Sequence, residues 1–137
     1  MRDEALILFV NDAFYEAFKA GDLAAMEKLW AKEACVVCAH PGWVALYGRE
    51  QVMGSWQAIF SSGGFPRNLR CRNPRIVPLG PDHAMVLCYE EIGEAVLLAT
   101  NVFGKEKGQW RLLHHHAGPT ELTADSLPAA PEREALQ

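Results

Sequence analysis

The residues most able to do chemistry in this chain are histidines. His40 ends an apolar run, and His114, His115 and His116 stand together near the C-terminal end. Imidazoles titrate near neutrality, so a converging set can act as general acid and base. On a strand, residues two apart share a face. Trp110, Leu112, His114 and His116 therefore go one way, and Arg111, Leu113 and His115 the other. Arginine suits the outer side of a sheet, which assigns His114 and His116 to the concave side. If His40 meets them there, His40 and His116 are the candidate catalytic pair and His114 a ligand-binding neighbour. Two other readings use the same residues. The histidines could be satisfied by hydrogen bonds at a polar mouth or a dimer seam, or they could hold one metal ion. No acidic or cysteine partner accompanies them, and no metal or other cofactor is expected.

Trp43 and Trp56 offer large flat surface with one donor each. They read either as walls of a pocket for a small hydrophobic or aromatic molecule or as core plugs. Helical spacing favours the core for Trp56, and a glycine turn places Trp43 at the rim. Tyr89 and Asn101, on neighbouring strands, can orient a carbonyl or hydroxyl. Other motifs lead nowhere catalytic. Ser55 lacks the nucleophile-elbow pattern, and Gly63-Gly64 lacks the strand, lysine and serine of a phosphate cradle. Cys35 and Cys38 form a CxxC inside a β-branched run, where residues three apart face opposite ways, so they read as buried free thiols. Arg67, Arg70, Arg72 and Arg75 read as a solvated strand edge; no aromatic ladder accompanies them.

These side chains need elements to carry them. Residues 3–20 show apolar positions at spacings of three and four, a helix with Asp3 as N-cap and Gly21 as its end. Asp22 caps a short second helix. Residues 34–40 form a strand ended by Pro41-Gly42. A third helix follows Gly48-Arg49 and carries Val52, Trp56, Ile59 and Phe60; Gly54 within it suggests close packing. Residues 68–78, 84–92, 95–103 and 109–117 read as strands, with Gly93-Glu94 as a two-residue hairpin. Helices first, then successive hairpins, predict an α+β domain: N-terminal helices packed on a strongly curved antiparallel sheet. A helix across the mouth would leave a cone-shaped half-barrel with an internal pocket.

Composition narrows the class. With 137 residues, half of them hydrophobic and 22% charged, the chain makes one soluble domain. Of the net charge of −4, most falls in residues 119–137, with four acids against one base. The near-neutral body gives no reason to expect nucleic acid. No apolar run approaches the roughly 20 residues that span a bilayer, so no membrane partner is expected. Asp3 and Glu4 precede the first apolar positions, which argues against a leader. A reducing cytoplasm is the simplest setting.

Taken together, the helix pair, His40-Pro41-Gly42-Trp43, Gly48-Arg49 with Ser55-Trp56, Ala99-Thr100-Asn101, and Trp110-Arg111 before the three histidines resemble one family. It is the nuclear transport factor 2-like superfamily, in its SnoaL-like branch. The resemblance covers residues 3–119. It implies a domain at 1–119, leaving 120–137 as a flexible acidic tail. It also implies a homodimer formed through the outer sheet face; the association reading below would build that face from residues such as Leu97, Leu113 and Val86. The superfamily holds isomerases, dehydratases, cyclases and hydrolases beside plain association domains. Two functions are therefore expected: a small-molecule-binding protein doing acid/base chemistry with pocket histidines, or a non-catalytic homodimerising or partner-association domain. For the cyclases and isomerases the resemblance implies an acid inside the cone. Asn101 and histidines stand where that acid would be most useful; Glu90 and Glu91 adjoin a hairpin end, where at least one must face water.

Overall fold

The apolar stripe of the first seventeen helical residues decides how the chain begins. In the computed structural model, which describes residues 2–129, α1 (Glu4–Ala20) buries Ile7, Phe14 and Ala17 together with Asn11 and Tyr15. It ends at Gly21 in the left-handed conformation, as expected. Asp3 departs from its expected role. Its side chain makes no cap bond and instead accepts from Trp110 Nε1 at 2.9 Å and pairs with Lys105 Nζ at 3.0 Å. Asp22 does cap α2 (Leu23–Leu29), accepting from the Ala25 N–H at 3.0 Å.

Past Ala31 the chain is taken by a carboxylate before it can form a strand. Glu106 accepts the backbone N–H groups of Lys32, Glu33 and Ala34 at 2.9, 3.0 and 2.8 Å. The expected strand at 34–40 therefore shrinks to β1 (Val37–Ala39), and Cys35 is exposed while Cys38 is buried. A short β2 (Leu46–Tyr47) pairs back on β1 before α3 (Arg49–Ser62) begins. Arg49 secures that start by donating to the carbonyls of Trp30 and Ala31 at 2.9 and 3.2 Å, and to that of Glu27. Such carbonyls at a helix end have no partner within the helix. Gly54 is not a close approach: a Cβ there meets nothing within 4 Å.

The remaining strands are β3 (Arg70–Gly80), β4 (His83–Ile92), β5 (Ala95–Glu106) and β6 (Gln109–Thr123). The sheet order is β2-β1-β6-β5-β4-β3. Every pair is antiparallel except β1 with β6, which run parallel, so the sheet is mixed and not wholly antiparallel. Three helices pack on one face of this open sheet, an α+β arrangement. The core between them holds Trp30, Trp56, Phe14, Phe103, Ile7 and Met26, all fully buried. Each such side chain stabilises by about 1.5–3 kcal/mol on leaving water.

One irregularity decides which side chains enter the cone. Val102 pairs with His114 and Phe103 with Leu112, so Leu113 has no opposite number. This is a β-bulge, and it shifts the alternation by one residue. Trp110 and Leu112 face inward, then His115 and Ala117, while His114 and His116 turn outward. On β4 and β5 the inward row is Ala84, Val86, Cys88 and Glu90 with Leu97, Ala99, Asn101 and Phe103. Val86 and Leu97 therefore belong to the inner face, not to the outer one where a dimer contact was expected. Leu113 packs against the core at its bulge.

The C-terminal boundary also moves. β6 runs past 119 to Thr123, a 3₁₀ turn (Ala124–Ser126) follows, Leu127 is buried, and Asn73 Nδ2 donates to the Pro128 carbonyl at 2.6 Å. Residues 120–129 thus belong to the folded body. The rest of the expected tail, 130–137, lies outside the described residues. β3 is an edge strand, and two members of its arginine cluster, Arg70 and Arg72, share Glu91. Among the described residues no helix is long and apolar enough to cross a membrane.

Candidate functional site

The concave face gathers its polar side chains into one buried network. α1 contributes Asn11 and Tyr15, four residues apart and so on one helical face; β4 gives Cys88 and Glu90, β5 Asn101 and β6 His115. Asn101 Nδ2 donates to Asn11 Oδ1 at 2.9 Å and to Tyr15 Oη at 3.2 Å. Both amide hydrogens are thereby used, and Oδ1 is left to accept. His115 Nδ1 lies 2.6 Å from that oxygen, so the network assigns the proton to Nδ1 and leaves Nε2 with a lone pair. Tyr15 Oη donates to Glu90 Oε2 at 2.9 Å, which makes the Cys88 thiol, 3.2 Å away, a donor to Tyr15. Asn11 Nδ2 points to Cys71 Sγ at 3.6 Å.

The unpaired lone pair of His115 faces the buried acid Glu90. Nε2 lies 3.7 Å from Glu90 Oε2. Burial raises the Glu90 carboxyl to about 7, partly opposed by the Tyr15 donor. Burial, with the neighbouring imidazoles acting in the same direction, lowers His115 to about 3. Both shifts favour uncharged forms, as desolvation requires. The pair is a carboxylic acid beside a neutral imidazole, able to give a proton at one atom and take one at the next.

A second cluster lies over this network. His40 is buried, and its ring meets Trp43 at 4.9 Å and Trp56 at 4.7 Å, both edge to face. Trp56 also approaches Phe14 and His115, at 5.7 and 6.3 Å. Ser55 Oγ donates to the Val52 carbonyl at 2.6 Å, so His40 Nε2, 2.9 Å from Ser55, is the donor to it. Serine thus keeps its proton away from the imidazole, the reverse of a nucleophile–base pair. Burial pushes His40 down to about 4 and keeps it neutral. Among the described residues, Trp56 Nε1 is buried without a hydrogen-bond partner, as is Trp30 Nε1.

The expected site residues are distributed differently from their forecast. Asn101 stands at the centre of the network, Trp56 is fully buried, and Trp43 sits half exposed at the rim. His116 is exposed on the outer face and His114 lies beside it, their rings 6.3 Å apart, because the Leu113 bulge turns them away from the cone. His40 is inside, so the three do not converge and no shared metal site forms from them. Tyr89 pairs with Leu98 on the outer face and does not reach the network. Glu90, His115, Tyr15, Asn11 and Ser55 were not among the expected site residues. A signal for Glu90 existed: Ala84, Val86 and Cys88 alternate inward, and the same period reaches Glu90 two residues later.

Comparison with known proteins bears on this geometry. The model of the SnoaL-like domain matches residues 7–120. The chain belongs to the SnoaL-like domain family. Within the nuclear transport factor 2-like superfamily, this SnoaL-like domain is similar to a candidate dehydratase from Streptomyces avermitilis, at 29% identity and a TM-score of 0.78, covering 88% of this chain and 97% of that one. It is also similar to a candidate calcium/calmodulin-dependent protein kinase type II association domain from Thiobacillus denitrificans, at 33% identity and a TM-score of 0.65, covering 82% and 93%. The F-box protein SKIP8 of Arabidopsis thaliana is 32% identical over 114 residues, which are 81% of this chain. The SnoaL-like chain spans about half (48%) of the length of that curated relative.

Proposed function

We propose that this SnoaL-like domain binds a small, apolar or aromatic molecule in its cone and acts on it by proton transfer. Glu90 is the acid and His115 the adjoining base. Asn101 is a positioning residue that fixes the His115 tautomer, and Trp56, His40 and Trp43 form the aromatic wall. The observation that carries this reading is the buried Glu90 carboxyl, held near 7 and 3.7 Å from the free lone pair of His115. A group poised near neutral pH is what acid/base catalysis needs. The name of the Streptomyces relative, a dehydratase, is consistent with chemistry of this kind.

The test is deuterium incorporation at the α-carbon of neutral cyclic ketones and enones in D2O. The native protein is expected to raise exchange above buffer, and Glu90→Gln to lower it roughly 100-fold. Equal exchange by native protein and variant would overturn the proposal.

A second reading is association without catalysis. It is favoured by the 33% identity to a protein named as an association domain, and by an outer sheet face carrying Met85, Leu87, Tyr89, Leu98 and Val102. A shallow depression of about 300 Å³ lies on that face beside Leu98, Thr100 and His116. On this reading the partner is a second copy of the chain. Light scattering at micromolar concentration tests it, and a monomer argues against it.

A further inference from the structure

His114 and His116 stand outside the acid/base network, turned to the outer sheet face by the bulge at Leu113. Two apart on β6, they share a face, and their ring centroids are 6.3 Å apart at an interplanar angle of 80°. Rings at that separation leave room for one ion about 2.0–2.1 Å from a nitrogen of each. The strand positions directly opposite are Val102 and Thr100 on β5 and Val37 and Ala39 on β1. None is charged, so no carboxylate in the ladder beside the pair claims either ring.

His114 already has the bearing of a ligand. Burial holds it below its usual pKa, His116 acts in the same direction, and a hydrogen bond to the backbone of Val37 opposes them. At neutral pH the ring is uncharged, with one nitrogen tied to that backbone and the lone pair of the other available. Metal-ligating histidines are oriented in this way by a backbone or carboxylate acceptor. Imidazole nitrogens suit Zn2+, which takes four ligands in a tetrahedron. Among the described residues no group of three or more His, Cys, Asp or Glu side chains could hold a metal ion. One chain therefore supplies two ligands, and the set is incomplete without another source.

The sheet supplies that source through symmetry. β6 and β5 are the middle pair in the order β2-β1-β6-β5-β4-β3, so a two-fold contact centred on the outer face brings both copies of β6 close to the axis. Leu98, 44% exposed, lies there, with the depression of about 300 Å³ lined by Leu98, Thr100, His116, Gly118, Pro119 and Thr120. Gly118 puts no side chain into that depression. Even a Cβ there meets nothing within 4 Å, which leaves space for a ring from the partner. We propose that His114 and His116 form half of a tetrahedral Zn2+ site, which the same two residues of a second copy complete across the outer sheet face. The proposal rests on the association reading above and adds the ion that joins the copies. It is independent of the interior acid/base site.

The experiment uses protein without an affinity tag, stripped with EDTA and titrated with Co2+, which replaces Zn2+ and reports its geometry. Tetrahedral Co2+ absorbs strongly in the visible, whereas six-coordinate Co2+ bearing mostly water absorbs faintly. The expected result is a strong spectrum that saturates at about half an ion per chain, with the mass of a dimer by light scattering at micromolar concentration. His116→Ala, a change at an exposed side chain, and His114→Ala are each expected to abolish the spectrum. His83→Ala, at the exposed histidine that opens β4, should leave it intact. A faint spectrum, saturation at one ion per chain, or a strong spectrum that survives His116→Ala overturns the proposal. A dimer in EDTA that yields no strong spectrum with Co2+ removes the metal and keeps the association reading. A monomer with and without Co2+ removes both.

Discussion

His115 donates its Nδ1 proton to Asn101 Oδ1 across 2.6 Å, and this bond fixes the direction of every other one in the buried network. With that oxygen accepting, the Asn101 amide must donate to Asn11 and Tyr15, and Tyr15 must donate to Glu90. Asn101→Leu removes the hub while keeping the approximate volume. It leaves His115 Nδ1, Asn11 Oδ1 and Tyr15 Oη each short of a partner. A loss of about 2–4 kcal/mol is expected, visible as a fall in melting temperature of roughly 10 °C. A change of under 2 °C would mean that water replaces the amide.

The two shifted groups act oppositely on stability as pH changes. Glu90 is raised from 4.5 to about 7, so between those values the native state binds the extra proton and stability falls as pH rises. His115 and His40 are lowered from 6.5 to about 3 and about 4, so the unfolded state binds more protons there and stability rises with pH up to 6.5. The histidines outweigh the acid, placing the optimum near pH 6.5. Glu90→Gln removes only the opposing contribution. Relative to native protein, the variant should gain about 3 kcal/mol between pH 4.5 and pH 7. Denaturant melts at those two pH values measure it, and a constant difference would count against a buried, protonated Glu90.

Glu106 should act as a pH-dependent latch. Burial is the largest single influence and raises its carboxyl, but the donors from Lys32, Ala34 and Glu33 together prevail and hold it below the usual value of 4.5. A depressed acid stabilises above its unfolded value, and the benefit is lost as pH falls through the folded one. Glu106→Ala is expected to lower the melting temperature by roughly 3–5 °C at pH 7. The deficit should shrink as pH falls below 4.5, which thermal melts at pH 7 and in acid would reveal.

Deletion of Leu113 offers a test of the bulge. Val102 already pairs with His114 and Phe103 with Leu112, so removing the extra residue leaves both pairings and regularises the strand. The fold should survive with His115 still inside, at a cost of about 1–3 kcal/mol for lost packing. An amide spectrum in which His115 loses its protection would show that the bulge does more than turn the strand.

The helices, the Gly93 hairpin and the α+β class could be read from apolar spacing, because that spacing and the burial it causes are one physical fact. The histidine assignment could not. Alternation is reliable only while the ladder is regular, and the extra Leu113 reverses it three residues before the histidines end. Asn101 carried no sign of its partners, since Asn11 and Tyr15 sit inside an otherwise apolar helical stripe. The start of the first strand misled for a different reason: the backbone of 32–34 is claimed by Glu106, far away in sequence. Trp43 and Trp56 were placed by their local context, a glycine turn and a helical period, and no distant partner intervenes to change either.

The parallel pairing of β1 with β6 has a consequence for how the chain assembles. β3 to β6 form by successive hairpins with short loop closures, whereas Val37 must find His114 across most of the chain. Contacts of such high sequence separation form late and slowly. By the same rule the helices, whose Asp3–Trp110 and Asn11–Asn101 contacts are longer still, dock with β1 and its turn after the meander, and the regions of lowest local stability open first. Trp43, His40 and Trp56 all ride on those late pieces. A partial reversal of the final folding step, observable by native-state hydrogen exchange, would uncover the network while the four-stranded meander stays intact.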